Sequence, residues 1–565
     1  MEDTTKRYCS ILFDVLKDQG VKDVVCSPGS RNVPLLIAAA CRKEFKKHFV
    51  VDERSAAFVG LGISLVSKKP VALICTSGTA LLNYAPAVAE AYYQSIPLII
   101  ISADRPEQWI DQDDSQTLRQ DHALDNYVKK SYSIPAFGEE MPEMQWYVNR
   151  IANDAVSEAC NGRKGPVHIN VHLSEPLGRK HECDPGRERI IQTLTADSFN
   201  NKEIYKELAA EIAHSNVLLV AGFMQPDSKL QNVVTDFCRL PNVAVMAETI
   251  SNLHLKEGDT SVDSVLTAYS EEELERHAPD IVISIGGALV SRKLKEYLRR
   301  NAGKCSHWSV GYSHVTTDPF MALTKRIETQ PSRFFRNIHL YLRKSEIKKD
   351  CADYKERWTN LRFKATEWKN KFVAESEWSE LKAFEILLNR LPHDYNLFLS
   401  NGTSVRYAQI ISYALPHASY CNRGVSGIDG SISTAIGGGS AYRGKSLIVT
   451  GDLSMAYDIG ALSLKMVPEN FKIVVIDNQG GGIFRFIPST SGLEEREEYL
   501  CQQQILPMKQ LAEGYGWCYF EASDEAQLKD EFSKFLSCEN KAILKVNVDG
   551  ELSAKILREY MNLKL

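Results

Sequence analysis

The chain has 565 residues, 44% hydrophobic and 25% charged, and its 67 basic and 72 acidic side chains give a formal charge of −5. That length exceeds what one core can fill and implies about three or four domains, and the mildly acidic balance excludes a basic surface of the kind that drives nucleic-acid or anionic-membrane binding. No apolar run approaches the roughly 18 residues of a membrane span, and the opening Met1-Glu2-Asp3-Thr4-Thr5-Lys6-Arg7 is too polar for a signal peptide. The expectation is a cytoplasmic protein with small-molecule partners, no nucleic acid and no membrane span. Thirteen cysteines without a Cys-x-x-Cys spacing give neither a disulfide framework nor a zinc pattern. His168 and His172 share one face of a strand and, with no further ligands nearby, read as core or surface histidines rather than a metal pair.

In chain order, residues 1–185 repeat one theme: apolar runs at 23–26, 71–75 and 98–102, each ending in turn chemistry and separated by helical segments. That pattern predicts a doubly wound parallel sheet, with ligands past the carboxyl ends of its strands. Ser30, Arg31, Glu53, Thr76, Ser77 and Arg105 would surround that mouth. A second such domain is expected over 195–345, from the runs at 216–222 and 281–287. It carries no Gly-x-Gly-x-x-Gly with a following acid, so a dinucleotide site is not supported there. Residues 346–379, rich in Lys, Glu and Trp, read as a solvated helical connector, and 380–565 as a third sheet. The fold class is therefore α/β, with three doubly wound parallel-sheet domains.

The third domain contains the most informative stretch. The runs at 447–450 and 472–476 end in Gly451-Asp452-Leu453-Ser454 and Asp477-Asn478-Gln479-Gly480-Gly481-Gly482, and 455–466 between them has helical spacing. Strands joined by a helix lie parallel, so Asp452 and Asn478 fall on neighbouring loops. Two hard oxygen ligands there suit a small divalent ion that also meets substrate phosphate. Two ordinary turns would read the same way, because Gly-Asp and Asn-x-Gly are common in turns. The separation of 26 residues (478 − 452) resembles the thiamine-diphosphate signature Gly-Asp-Gly…Asn, with Leu453 where many members have a second glycine. Glu53 opens a helix rich in small apolar residues, where an acid can simply complement the helix terminus or can serve the cofactor's aminopyrimidine ring. Four arginines, Arg31, Arg105, Arg406 and Arg423, follow strand ends, and convergent guanidinium groups imply a polyanionic substrate.

Together, Ser27-Pro28-Gly29-Ser30-Arg31, Thr76-Ser77-Gly78-Thr79-Ala80, Ala103-Asp104-Arg105-Pro106, Asn422-Arg423-Gly424-Val425-Ser426-Gly427-Ile428-Asp429-Gly430 and Gly451-Asp452-Leu453-Ser454 resemble the 2-succinyl-5-enolpyruvyl-6-hydroxy-3-cyclohexene-1-carboxylate synthase (MenD) family. The resemblance implies a decarboxylating carboligase of menaquinone biosynthesis that joins 2-oxoglutarate to isochorismate. It would use thiamine diphosphate and Mg2+ or Mn2+, in a homodimer or homotetramer with active sites between subunits. By that resemblance the first domain is pyrimidine-binding and the third diphosphate-binding, and the middle one holds no cofactor of its own. Glu53 would activate the cofactor. Gly402, Thr403, Ser426, Ile428, Gly451, Leu453, Ser454 and Ile483 would bind it, with Ile428 wedged between its rings. Asp452, Asn478 and the Gly480 carbonyl would hold the metal. Ser30, Arg31, Arg105, Ser115, Gln116, Arg292, Lys293, Arg406, Arg423 and Phe484 would meet substrates. Ser115 stands where some members carry Asn, Gly402 replaces a Ser, and Arg292-Lys293 reverses a Lys-Arg pair, which leaves open which of those two reaches substrate. The alternatives are a thiamine carboligase of the acetohydroxyacid synthase type, disfavoured by the arginines, and a catalytically silent protein on the same scaffold, disfavoured by Glu53 and the metal ligands.

Overall fold

The structure, a computed structural model, describes residues 2–136, 142–182, 188–193, 201–255, 262–313, 315–411, 416–502, 506–562 and 564–565. Three parallel sheets organise it. Their central strands are runs such as Val71–Cys75, Val217–Ala221 and Leu98–Asp104, buried along their whole length. Helices cover both faces of such sheets, which is why these strands read as continuous apolar runs and not as alternation. Numbered by position along the chain, the strands of the first sheet run 2-1-3-4-6-5, those of the third run 2-1-3-4-6-5 as well, and those of the five-stranded middle sheet run 2-1-3-4-5. The expected fold class holds. Among the described residues no helix is long and apolar enough to cross a membrane.

The chain divides into two compact units. The first comprises Met1–Thr195 with Gly424–Lys445 and Tyr457–Phe471. Its core is built on Val24, Ile74, Ile99, Ile101 and Ile169 from the first sheet, closed by the helix Arg7–Asp18. On another side, the helix Glu53–Ser67 lies along the helix Ser431–Ala441 at backbone contact. A Cβ on Gly62 would come within 1.9 Å of the Thr434 carbonyl oxygen, and one on Gly437 within 2.2 Å of the Val59 carbonyl oxygen. Side chains at these positions on either helix would hold the pair apart, so the small residues of this helix are what lets it dock.

The second unit comprises Ala196–Arg423, Ser446–Ala456 and Lys472–Leu565, and carries the middle and third sheets. They are joined by reciprocal bonds: Asn252 Nδ2 donates to the Ser419 carbonyl at 3.0 Å, and the Ser419 N–H donates back to Asn252 Oδ1 at 2.7 Å. The long helix Tyr354–Glu375 departs from the expected solvated connector. It buries Tyr354, Trp358, Leu361 and Ala365 in the core of the middle sheet, where a stripe of apolar residues at helical spacing outweighs the charged ones between them.

The stretch after Gly451 also differs from expectation. The helix begins at Asp452, ends at Tyr457, and gives way to a short 3-10 turn over Ile459–Ser463. Asp458 breaks it by turning inward, where its carboxylate accepts the Ser433 N–H at 2.7 Å and the Ser433 hydroxyl at 2.8 Å. The strands Lys445–Gly451 and Lys472–Asp477 pair in parallel, so Asp452 and Asn478 follow adjacent strand ends.

Candidate active site

In the first unit, the loop after Leu98–Asp104 gathers the residues expected to meet substrate. Arg105 Nε donates to the Ser115 carbonyl at 2.9 Å and pairs with Asp114 at 3.0 Å. Gln116 has φ +55° and packs its backbone 3.5 Å from where a Cβ of Gly78 would stand. Arg31, 8% exposed, donates to the Leu173 carbonyl at 3.1 Å and meets Glu175 at 3.3 Å. Burial and the neighbouring Arg105 charge both lower its pKa, the signature of two cations sharing a site. Ser30, beside it, is exposed.

Behind this loop lies a polar network. Asn170 Nδ2 donates to Asp104 and Asp121, both at 2.9 Å, Gln120 Nε2 donates to Asn170 Oδ1 at 2.9 Å, and Gln120 Oε1 accepts the Gly78 N–H at 2.7 Å. His168 and His172 are absorbed by it. His168 Nε2 meets the Ser102 hydroxyl at 2.7 Å, while His172 Nδ1 meets the Arg105 carbonyl at 2.5 Å.

Glu53 stands at the start of its helix, half-buried. Capping is done by its neighbour: Asp52 Oδ1 accepts the amides of Arg54 at 2.9 Å and Ser55 at 3.5 Å. The same unit holds the loop with Ser426 and Ile428. Ser426 has φ +68°, in the left-handed region a non-glycine residue rarely adopts, and Ile428 is 38% exposed. Glu90, 3% exposed, fixes the start of this loop by accepting the amides of Gly424 at 2.6 Å and Val425 at 2.7 Å. Glu90 carries no signal in the sequence, because nothing local marks an acid inside the helix Ala85–Gln94 as a partner for residues so far along the chain.

In the second unit, Asp452, 6% exposed, accepts the Leu453 N–H at 2.9 Å and the Gly480 N–H at 2.8 Å, which ties the two strand-end loops together. Burial raises its pKa to about 6 against the opposing Gly480 amide. The turn behind it uses φ +63° at Gln479 and +117° at Gly480. Arg485 locks it, donating to the Asn478 carbonyl at 2.8 Å and the Gln479 carbonyl at 3.0 Å while paired to Glu497 at 2.8 Å. Asn478 is 4% exposed; its Nδ2 donates to Glu380 at 2.6 Å, and its Oδ1 is buried without a hydrogen-bond partner. The Gly480 carbonyl accepts the Gly482 N–H at 2.8 Å. Gly402 has φ +94°, which accounts for glycine at that position. Thr403 follows as the residue before the helix Ser404–Ile410. Ser454 is buried, and Gly451, Leu453, Ile483 and Phe484 are half-buried.

A set of cations lies in the same unit. Arg406 is on the helix Ser404–Ile410 and donates to the Gly402 carbonyl. Arg423 donates to Asn401 Oδ1 at 3.0 Å, and its Nε is buried without a hydrogen-bond partner. Burial, then the Arg423 charge, lowers the Arg406 pKa. Of the reversed pair, Arg292 is turned outward, 81% exposed and bonded to Glu296 at 2.6 Å one helical turn on, so it departs from the expected cluster. Lys293 is the inward one. Burial, then Lys564, lowers its pKa to about 8, opposed by Asp263, whose charge also feels Arg406. Lys295, which has no distinguishing mark in the sequence, is half-buried, and burial lowers its pKa, opposed by Glu248 and reinforced by Arg423 and Arg406. Glu248 is fully buried, accepts the amides of Val290 at 2.8 Å and Ser291 at 2.7 Å, and is raised by burial to about 7.

Residues 7–124 match the family of the thiamine pyrophosphate enzyme, N-terminal TPP binding domain. Proteins named 2-succinyl-5-enolpyruvyl-6-hydroxy-3-cyclohexene-1-carboxylate synthase are similar over nearly the whole chain. That of Porphyromonas gingivalis is 38% identical over 98% of this chain and 96% of its own length. That of Cytophaga hutchinsonii is 36% identical over 97% and 99%, and that of Flavobacterium psychrophilum 35% over 97% of each.

Proposed function

The chain belongs to the 2-succinyl-5-enolpyruvyl-6-hydroxy-3-cyclohexene-1-carboxylate synthase family, and from that premise we propose how its residues divide the work. It is a thiamine-diphosphate-dependent transferase of menaquinone biosynthesis, a carboligase that decarboxylates 2-oxoglutarate and joins the remaining four-carbon unit to isochorismate. The bound cofactor supplies an electron sink for the carbon that loses CO2. An acetohydroxyacid synthase type of reaction is not favoured, because small neutral acceptors give the arginines nothing to pair with.

We assign a divalent cation, Mg2+ or Mn2+, to Asp452, Asn478 and the Gly480 carbonyl, where it would hold the cofactor's diphosphate. The observation that carries this is the Asn478 Oδ1: a buried amide oxygen without a partner, in a turn held by Arg485 and by the Gly480 N–H on Asp452. Leaving such an atom unsatisfied costs about 1–3 kcal/mol, and a hard cation removes that cost. Gly402, Thr403, Gly451, Leu453, Ser454 and Ile483 would line the diphosphate and thiazolium half, which makes 380–565 the diphosphate-binding domain and 1–185 the pyrimidine-binding one. The middle domain, 195–345, and the helical segment 346–379 would hold no cofactor.

Glu53 has no hydrogen-bonded or ionic partner among the described residues, so its carboxyl is available to bond the aminopyrimidine and move its proton. Ser426 would accept from the same ring, and Ile428 would support the bent cofactor. Arg31, Arg105, Ser30, Ser115 and Gln116 would bind isochorismate, and Arg406, Arg423 and Lys293 the carboxylates of 2-oxoglutarate and of the intermediate, with Phe484 as apolar wall. Arg292 is left outside this set. The assembly would be a homodimer or homotetramer with Glu53 of one chain serving the diphosphate half of another, in the cytoplasm. Calorimetric titration of thiamine diphosphate tests the cation assignment: wild-type protein should bind only with Mg2+ or Mn2+ present, and Asp452→Ala should not bind at all. Cation-independent binding would overturn it.

A further inference from the structure

We propose that Glu380 is a positioning residue that fixes which end of the Asn478 amide is presented to the cation. The inference rests on the cation assignment above and adds a residue to it. Glu380 opens the helix Glu380–Arg390, is 2% exposed, and has its own N–H held by Ser553 Oγ at 3.0 Å. Its Oε1 accepts Asn478 Nδ2 at 2.6 Å.

An amide side chain is nearly symmetric in shape, so packing alone does not choose between its oxygen and its nitrogen. A carboxylate chooses, because it accepts and cannot donate. With the ionised Glu380 on one side, its charge opposed by burial and supported by the Asn478 bond, the NH2 must face it, and Oδ1 must face away, where it is buried and unpartnered. Rotated half a turn, Asn478 would set its oxygen against a carboxylate oxygen and offer the cation two N–H groups.

The surroundings leave Asn478 no other escape. Arg485 holds its main-chain carbonyl at 2.8 Å. A Cβ on Gly482 would stand 2.3 Å from Asn478 Nδ2 and 3.3 Å from Glu380 Oε1, so the loop passes over this hydrogen bond with no room for a side chain. Groups that orient metal ligands in this way are typically worth about 10–100-fold in metal affinity.

The test uses the full chain with thiamine diphosphate and Mn2+, reading free Mn2+ by electron paramagnetic resonance, with circular dichroism of each apo-protein to confirm folding. Glu380→Gln keeps the shape but can donate or accept, so both amide orientations become available and Mn2+ affinity should fall about 10-fold or more. Asn478→Asp sets two carboxylates together and should fall further. In the double variant, the amide introduced at position 380 can donate to the new carboxylate at 478 and free its other oxygen, so affinity should recover to well above that of Asn478→Asp alone. A merely structural Glu380 predicts unchanged affinity in folded Glu380→Gln and additive losses in the double variant, and either result overturns the inference. Should Asn478→Asp not fold, Glu380→Gln against Glu380→Leu decides, since both must weaken Mn2+. Absence of cofactor-dependent Mn2+ binding in the wild-type protein would instead overturn the cation assignment itself.

Discussion

Asp52 caps the helix that Glu53 begins, accepting the Arg54 amide at 2.9 Å, and so relieves Glu53 of any duty to the helix terminus. The two acids stand side by side with separate tasks. Replacing Asp52 by Ala should cost about 1 kcal/mol of stability, the usual loss of a cap. Glu53→Gln should leave stability unchanged and thiamine diphosphate still bound, while exchange of the cofactor's C2 proton, followed by NMR, slows by roughly two to four orders of magnitude, the usual range for general acid–base groups. Exchange at the wild-type rate would assign that proton transfer to another group.

Gly62 should be intolerant of any side chain. Its missing Cβ would stand 1.9 Å from the Thr434 carbonyl oxygen and 2.8 Å from the Gly438 nitrogen, both main-chain atoms that cannot rotate aside. Gly62→Ala must therefore spread two helices and is expected to destabilise by about 1–3 kcal/mol, despite alanine's better helix propensity. Denaturant unfolding of the two proteins measures it, and a stabilised variant would contradict the close helix contact.

The cations should separate by half-reaction. Arg105 and Arg31 share the first unit with Ser115 and Gln116, whereas Arg406 and Arg423 flank Gly402 and Asn401 in the second. Removing one partner of a buried charge pair costs about 3–5 kcal/mol, or roughly two to four decades in a rate or binding constant. Arg105→Ala should therefore cut turnover of isochorismate and spare decarboxylation of 2-oxoglutarate in a single turnover, and Arg406→Ala should slow the decarboxylation. Arg292→Ala should leave both near normal, whereas Lys293→Ala should not. Equal impairment of one step by Arg105→Ala and Arg406→Ala would contradict the division.

The network behind Arg105 gives a pH dependence of known sign. Burial raises the Asp121 pKa, but hydrogen bonds from His172 and Asn170 outweigh this and hold it at about 2. For His172, burial lowers the pKa, and the Asp121 bond, the Arg105 carbonyl and the Asp104 and Asp121 charges together more than offset it, so the net shift is upward. A depressed acid contributes stability above the unfolded aspartate value that is lost as pH falls through about 2. A raised histidine contributes stability below the unfolded histidine value that is lost as pH rises through its folded pKa. The wild-type advantage over Asp121→Asn should thus be greatest between about pH 4 and 6.5, the two unfolded values, and shrink toward pH 8. An advantage that grows with pH in urea unfolding would show that the pair is not ionic.

Much of the fold was legible because buried parallel strands are short continuous apolar runs: 71–75, 98–102 and 472–476 lie inside strands. Edge elements were not, since Ala418–Tyr420 is only three residues long and Cys518–Ala522 is half-exposed, so neither carries an apolar signature. Asp452 and Asn478 were legible from strand ends and spacing. Glu380, Glu90 and Arg485, which hold the site loops, were not, because each acts on main chain or side chain reached only through the tertiary fold. The different settings of Arg292 and Lys293 follow from helix geometry: one position along a helix turns a side chain by about 100°, which sends Arg292 to solvent and Lys293 inward.

The most direct measurement mixes the protein with thiamine diphosphate, Mg2+, 2-oxoglutarate and isochorismate, and follows products by mass spectrometry alongside released CO2. One CO2 should appear for each product that carries isochorismate joined to the four-carbon remainder of 2-oxoglutarate, with no product when pyruvate replaces 2-oxoglutarate. Release of CO2 without any isochorismate adduct, or an adduct formed from pyruvate as readily as from 2-oxoglutarate, would contradict the account.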